Sequence, residues 1–98
     1  MKRRFVIGIQ GMTEAQEKSF RDFLNKHGFW WHWIDNLWLF ATNKPALTAS
    51  EIRDAAPESA RTIVLEFPED ITWATRGKPN TQGKKMSDWL ESTWKKDD

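Results

Sequence analysis

The chain contains no cysteine, so no disulfide framework, thiolate nucleophile or cysteine-ligated zinc or iron–sulfur centre can be built from it. Tyrosine is also absent, and two histidines leave little for a histidine-based metal site. There is no excess of either charge. Fifteen Lys and Arg against fourteen Asp and Glu give a formal net charge of +1, which excludes a protein that coats nucleic acid through a global basic field. Long hydrophobic runs are missing too. The apolar stretch after Met1-Lys2-Arg3-Arg4 is only Phe5 to Ile9, too short for a secretory-signal core, and nothing approaches the roughly 18 apolar residues of a membrane span. No membrane partner is expected, and a cytoplasmic location is the default. At 98 residues a second domain is excluded. What the chain has in excess is tryptophan: seven, with six phenylalanines, in a protein too small to hide so many large rings easily.

Alternation of Phe5, Ile7 and Ile9 with Val6 and Gly8 predicts a strand over Arg4 to Ile9. Gly11 breaks it, and Thr13-Glu14-Ala15-Gln16 has the pattern of a capping box opening a helix. Phe20, Phe23, Leu24 and His27 lie three, four and seven apart on one face of that helix, and Gly28 stands where a left-handed cap is wanted. From Phe29 to Phe40 only Asp35-Asn36 is turn-like, which predicts a hairpin of strands Phe29–Ile34 and Leu37–Thr42. Alternation groups Phe29, Trp31 and Trp33 on one face and Trp30, His32 and Ile34 on the other. A second capping box, Thr48-Ala49-Ser50-Glu51, with Leu47 and Ile52 at the staple positions, predicts a short helix ending by Pro57. Arg61 to Phe67 alternates as a fourth strand.

Strand, helix, strand, strand, helix, strand makes an α+β, ferredoxin-like βαββαβ antiparallel sheet the simplest topology, with both helices on one face. The single domain of residues 1–98 divides into a core of 4–70, a basic loop of 71–85 and an amphipathic C-terminal helix of 86–94. That helix places Met86, Trp89, Leu90 and Trp94 on one face, with Ser87 as its cap.

The run Trp30-Trp31-His32-Trp33-Ile34-Asp35-Asn36-Leu37-Trp38-Leu39, then Glu51-Ile52-Arg53-Asp54, Trp73 and Trp89-Leu90, resembles the small bacterial and phage proteins labelled SinR-like. Through them the chain is distantly similar to VapD and to the smaller CRISPR adaptation protein. The resemblance implies a ferredoxin-like homodimer, and in some relatives a metal-dependent ribonuclease. Those nucleases carry an Asp near the end of the first strand, whereas Ile7-Gly8-Ile9-Gln10-Gly11 has no carboxylate.

The aromatic residues Trp31, Trp33, Trp38 and Phe40 offer a stacking platform for bases or, alternatively, a packing surface. RNA-binding sheets surround their rings with Lys and Arg, yet His32 is the only basic residue between Phe29 and Thr42. Packing is therefore preferred, either against a second subunit or against the C-terminal segment through Trp89 and Trp94. His27 and His32 lack the spacing of a zinc or catalytic pair. Asp35, Asp54, Glu66, Glu69 and Asp70 offer carboxylates for magnesium, but turn chemistry and solvated faces account for them equally. Residues Glu51 to Asp70 carry a net charge of −4, and the following Ile71 to Lys85 carry +4 from Arg76, Lys78, Lys84 and Lys85. This loop, with Lys2, Arg3 and Arg4, is the candidate for partner or anion contact.

These features predict a homodimeric binding or regulatory protein with no catalytic residue, metal or cofactor. It would be encoded by a phage or mobile element and act on a host protein. The alternative is a VapD-like metal-dependent ribonuclease or nucleic-acid-binding protein.

Overall fold

A computed structural model describes residues 2–67, 73–77 and 85–94. Strand β1 spans Arg3–Gln10 and ends at Gly11, whose φ of 101° lies in the left-handed region. Helix α1, Glu14–His27, starts as its sequence requires. The Thr13 hydroxyl accepts from the Gln16 amide at 3.2 Å, and the Gln16 side chain accepts from the Thr13 amide at 2.9 Å. Glu14 and Glu17 in the first turn and Lys26 in the last complement the helix dipole.

The helix stops at Gly28 for a reason other than left-handed geometry. Gly28 is extended, with φ 170°, and a Cβ there would stand 2.1 Å from the carbonyl oxygen of Ala41. Glycine is needed because the third strand's backbone passes directly against it.

Strands β2 (Phe29–Ile34) and β3 (Leu37–Thr42) form the hairpin. Asn36 turns it at φ 70°, a conformation asparagine tolerates, and its carbonyl accepts from the Ile9 amide at 2.8 Å, tying the turn to β1. Helix α2 (Ala49–Asp54) has its capping box, Thr48 with Glu51, and buries both staple residues, Leu47 and Ile52. Strand β4 is Arg61–Phe67. Helix α3 (Met86–Trp89) continues into a π-helical turn, Leu90–Trp94. Its capping pair is Lys85 with Asp88, whose carboxylate accepts from the Lys85 amide at 2.9 Å, so the helix is capped two residues before the predicted Ser87.

The four strands form one antiparallel sheet in the order β2-β3-β1-β4, an α+β architecture compatible with a ferredoxin-like arrangement. Phe5, Ile7, Ile9, Trp38 and Phe40 point from the two central strands toward Phe20 and Leu24 of α1 and toward Leu47 and Ile52. In register, Phe5 faces Phe40 and Ile7 faces Trp38. At about 1.5–3 kcal/mol for each fully buried large apolar side chain, this layer dominates the stability of the fold. Trp38 and Phe40 are therefore packed under the helices with no exposed surface. They pack the sheet within one chain and offer nothing to a second subunit or to a base.

Strict alternation fails in β2. Its pairing with β3 shifts between Trp31 and Ile34, and such a bulge moves the next side chain to the other face. Ile34 consequently lies with Trp31 and not with Trp30 and His32.

Candidate functional site

The sheet face opposite α1 and α2 carries the side chains that alternate with the core: Val6 on β1, Leu37 and Leu39 on β3, Trp31 on β2, and Ile63, Leu65 and Phe67 on β4. Part of this face is covered from within the chain. Leu90 and Trp94 of the π-helical turn are buried against it. Trp89 is half-buried, its ring 5.8 Å from that of Trp94.

Two buried cations hold this cover in place. Lys2 donates to the carbonyl of Thr93, and Arg4 Nε donates to the carbonyl of Trp94 at 2.5 Å. The carbonyls at the end of a helical segment lack intrahelical donors and carry partial negative charge, so cations are the partners they favour. Arg3, pointing to the other face, forks onto Glu66 with contacts of 2.9 and 3.0 Å and donates to the carbonyl of Leu47. The basic cluster at residues 2–4 therefore has structural work and does not extend the basic loop.

Between the cover and the sheet lies a groove of about 370 Å³, walled by Val6, Trp31, Ile34, Leu37, Leu39, Phe67, Trp73, Leu90 and Trp94, with Thr75 and Arg76 at its rim. Its lining is almost wholly apolar, which suits an apolar group anchored by few polar contacts. Among the described residues, the indole N–H of Trp94 is a buried donor without a hydrogen-bond partner. Residues 73–77 adopt no regular structure. Trp73 is half-buried, and Arg76 is exposed. Of the predicted basic contacts, Arg76 reaches the groove and Lys85 is exposed at the start of α3, while Lys78 and Lys84 lie outside the described residues. Trp33 sits in the β2 bulge, half-buried and away from the groove. The groove thus brings together Trp31, Trp94 and Arg76 of the predicted set. Leu37, Leu39, Ile34 and Phe67 were not singled out in the sequence, although their alternation with core positions marked three of them.

Both histidines have partners within the fold. His32 Nδ1 donates to the Leu37 carbonyl at 2.9 Å, and its Nε2 lies 3.8 Å from Glu17. His27 accepts from the Lys44 ammonium at 3.0 Å, and burial, then the Lys44 charge, hold its pKa below the ordinary 6.5. Glu66 is held below its usual 4.5, chiefly by hydrogen bonding to Arg3. Gln10 is exposed opposite Arg61 in the register. Among the described residues no group of three or more His, Asp and Glu is placed to hold a metal ion, and no helix is long and apolar enough to cross a membrane. Glu69 and Asp70 lie outside those residues.

Comparison of the chain with protein-family models, curated proteins and solved structures finds no match in any of the three.

Proposed function

We propose that the chain is a ferredoxin-like, homodimeric binding protein that acts without chemistry of its own and recognises a partner protein through the groove between its sheet and its C-terminal segment. The partner chemistry we assign is a large apolar side chain beside an acidic group: the first fills the space among Trp31, Trp73 and Leu90, and the second meets Arg76. The observation that carries this reading is the apolar groove whose lining, among the described residues, holds one cation, the exposed Arg76. A solvated linker has no reason to bring Trp73 under the sheet and leave Arg76 at the mouth. Charge at a rim steers encounter and sets salt dependence more than it sets affinity, whereas the aromatic wall supplies most of the binding energy.

The test uses the full chain and anilinonaphthalene sulfonate, a dye that pairs an apolar ring system with one anionic group. The folded protein should bind it saturably, with energy transfer from tryptophan. Arg76→Ser should weaken binding severalfold and flatten its salt dependence, and Trp73→Ala should weaken it further. Equal affinity in wild type and both variants would remove the groove as a binding site.

A further inference from the structure

We infer that β4 is a self-complementary edge through which two copies of this chain pair antiparallel, joining their sheets into one of eight strands. The inference rests on the homodimer reading above and assigns the surface and register that make it.

The two edges of the sheet differ. The β2 edge is interrupted by its bulge, a recognised device for preventing a strand from templating another. Among the described residues the β4 edge has no such interruption. It runs seven residues in unbroken register with β1 and contains no proline, lysine or bulge. It also carries two large aliphatic side chains in the open, Ile63 at 59% and Leu65 at 47% exposure. They stand on one face, two residues apart.

A two-fold axis normal to a sheet preserves its faces, so an antiparallel pair of identical strands must be centred on a residue. Centring on Val64 uses all seven residues of β4. In that register Ile63 faces Leu65 of the second copy, and the same contact repeats on the other side of the axis. Arg61 faces Phe67 across the strands, placing a guanidinium beside a half-buried ring. On the helix face Thr62 meets Glu66 and Val64 meets itself. Every apolar residue thus meets an apolar or cation-stacking partner, and no like charges stand opposite one another. Centring on Ile63 instead would put Arg61 against Leu65 and leave Phe67 without a strand partner. Directly opposed side chains are the unit of sheet stabilisation, so complementarity across this axis is what an isologous strand pair requires.

The experiment measures mass by sedimentation at micromolar concentration. Wild type should be a dimer. The Ile63→Lys/Leu65→Lys chain, altered only at exposed positions, should keep its circular dichroism and dissociate, with a dissociation constant raised roughly 100-fold or more. Mixing it with an Ile63→Glu/Leu65→Glu chain should restore a dimer containing one of each. The absence of native cysteine allows a second measurement, because an Ile63→Cys chain mixed with a Leu65→Cys chain should oxidise to the mixed disulfide in preference to either symmetric one. A monomeric wild type would overturn both the homodimer and this edge. A wild-type dimer whose mass is unchanged by the paired lysines would overturn the edge alone and leave a homodimer formed elsewhere. Should the lysine chain lose its fold, the cysteine pair decides: preference for the mixed disulfide supports the register, and no preference overturns it.

Discussion

His32 lies flat on Trp38, their ring centroids 3.7 Å apart and their planes within 7°. Phe20 from α1 meets Trp38 edge-on at 5.4 Å, and Trp30 tilts against it at the same distance. Trp38 is thus the ring on which the helix, the hairpin and the central strand converge. Trp38→Ala should cost about 3–5 kcal/mol, most of the stability of a domain this size. Trp38→Lys should yield an unfolded chain and not a folded monomer. Urea titration followed by circular dichroism separates the two outcomes. His32→Ala, which removes the stack and one hydrogen bond while leaving Trp38 under the helix, should cost less than half as much.

The two strand-contact glycines should respond unequally to alanine. At Gly28 the new Cβ would overlap the Ala41 carbonyl oxygen at 2.1 Å, and neither backbone can withdraw without breaking the β2–β3 pairing. At Gly8 it would meet only the Ile63 side-chain methyl, at 3.1 Å, the far end of a side chain that can shift by a few tenths of an ångström. Gly28→Ala should therefore destabilise by about 3 kcal/mol or more and Gly8→Ala by about 1 kcal/mol or less, read from urea midpoints.

Stability should fall with acid in two separable windows. His27 has a folded pKa below 6.5, so the unfolded chain binds more protons there; its contribution is full above 6.5 and is lost as pH falls toward the folded value. Glu66 has a folded pKa below 4.5, so its contribution is present above 4.5 and disappears as pH drops through the lower folded value. His27→Gln should flatten the first step, which begins as pH falls below the ordinary histidine value of 6.5, and leave the second. Glu66→Gln should do the reverse. Thermal midpoints across this range check both.

Arg4→Met should loosen the C-terminal cover without unfolding the sheet. It removes a charged donor from the Trp94 carbonyl, a bond worth about 1.5–3 kcal/mol, while keeping the apolar volume. Leu90 and Trp94 should become exposed, seen as a red shift in tryptophan emission and faster amide exchange in residues 86–94. An unchanged spectrum and exchange rate would show that apolar packing alone holds the segment.

Much of this was legible in the residues. Both capping boxes, the Asp35-Asn36 turn and the alternation of β1, β3 and β4 are local patterns, and each element formed where its pattern stood. The failures share one physical cause, which is that the deciding contact is distant in sequence. Gly28 looks like a helix cap, and only the approach of Ala41 reveals a steric requirement. Trp31 and Trp38 look equivalent, because a hairpin with rings on both faces does not say which face receives the helices. The β2 bulge, which reassigns Ile34, has no marker in Trp31-His32-Trp33. Lys2 and Arg4 read as part of a solvated basic cluster until the carbonyls of Thr93 and Trp94 are brought to them. The groove was half visible for the same reason: its strand walls follow from alternation, whereas its roof depends on contacts from the far end of the chain.

Those contacts have a kinetic consequence. Lys2 to Thr93 spans 91 positions and Arg4 to Trp94 spans 90, so closing them confines nearly the whole chain in a single loop. Closure entropy grows only logarithmically, about 0.6 kcal/mol for each doubling of length, but it must be met before either bond forms. The hairpin and the two capped helices assemble from short-range contacts and need not wait. The clasp should therefore form after the folding barrier, so that Arg4→Met accelerates unfolding while leaving the rate of folding almost untouched, as stopped-flow rates would show.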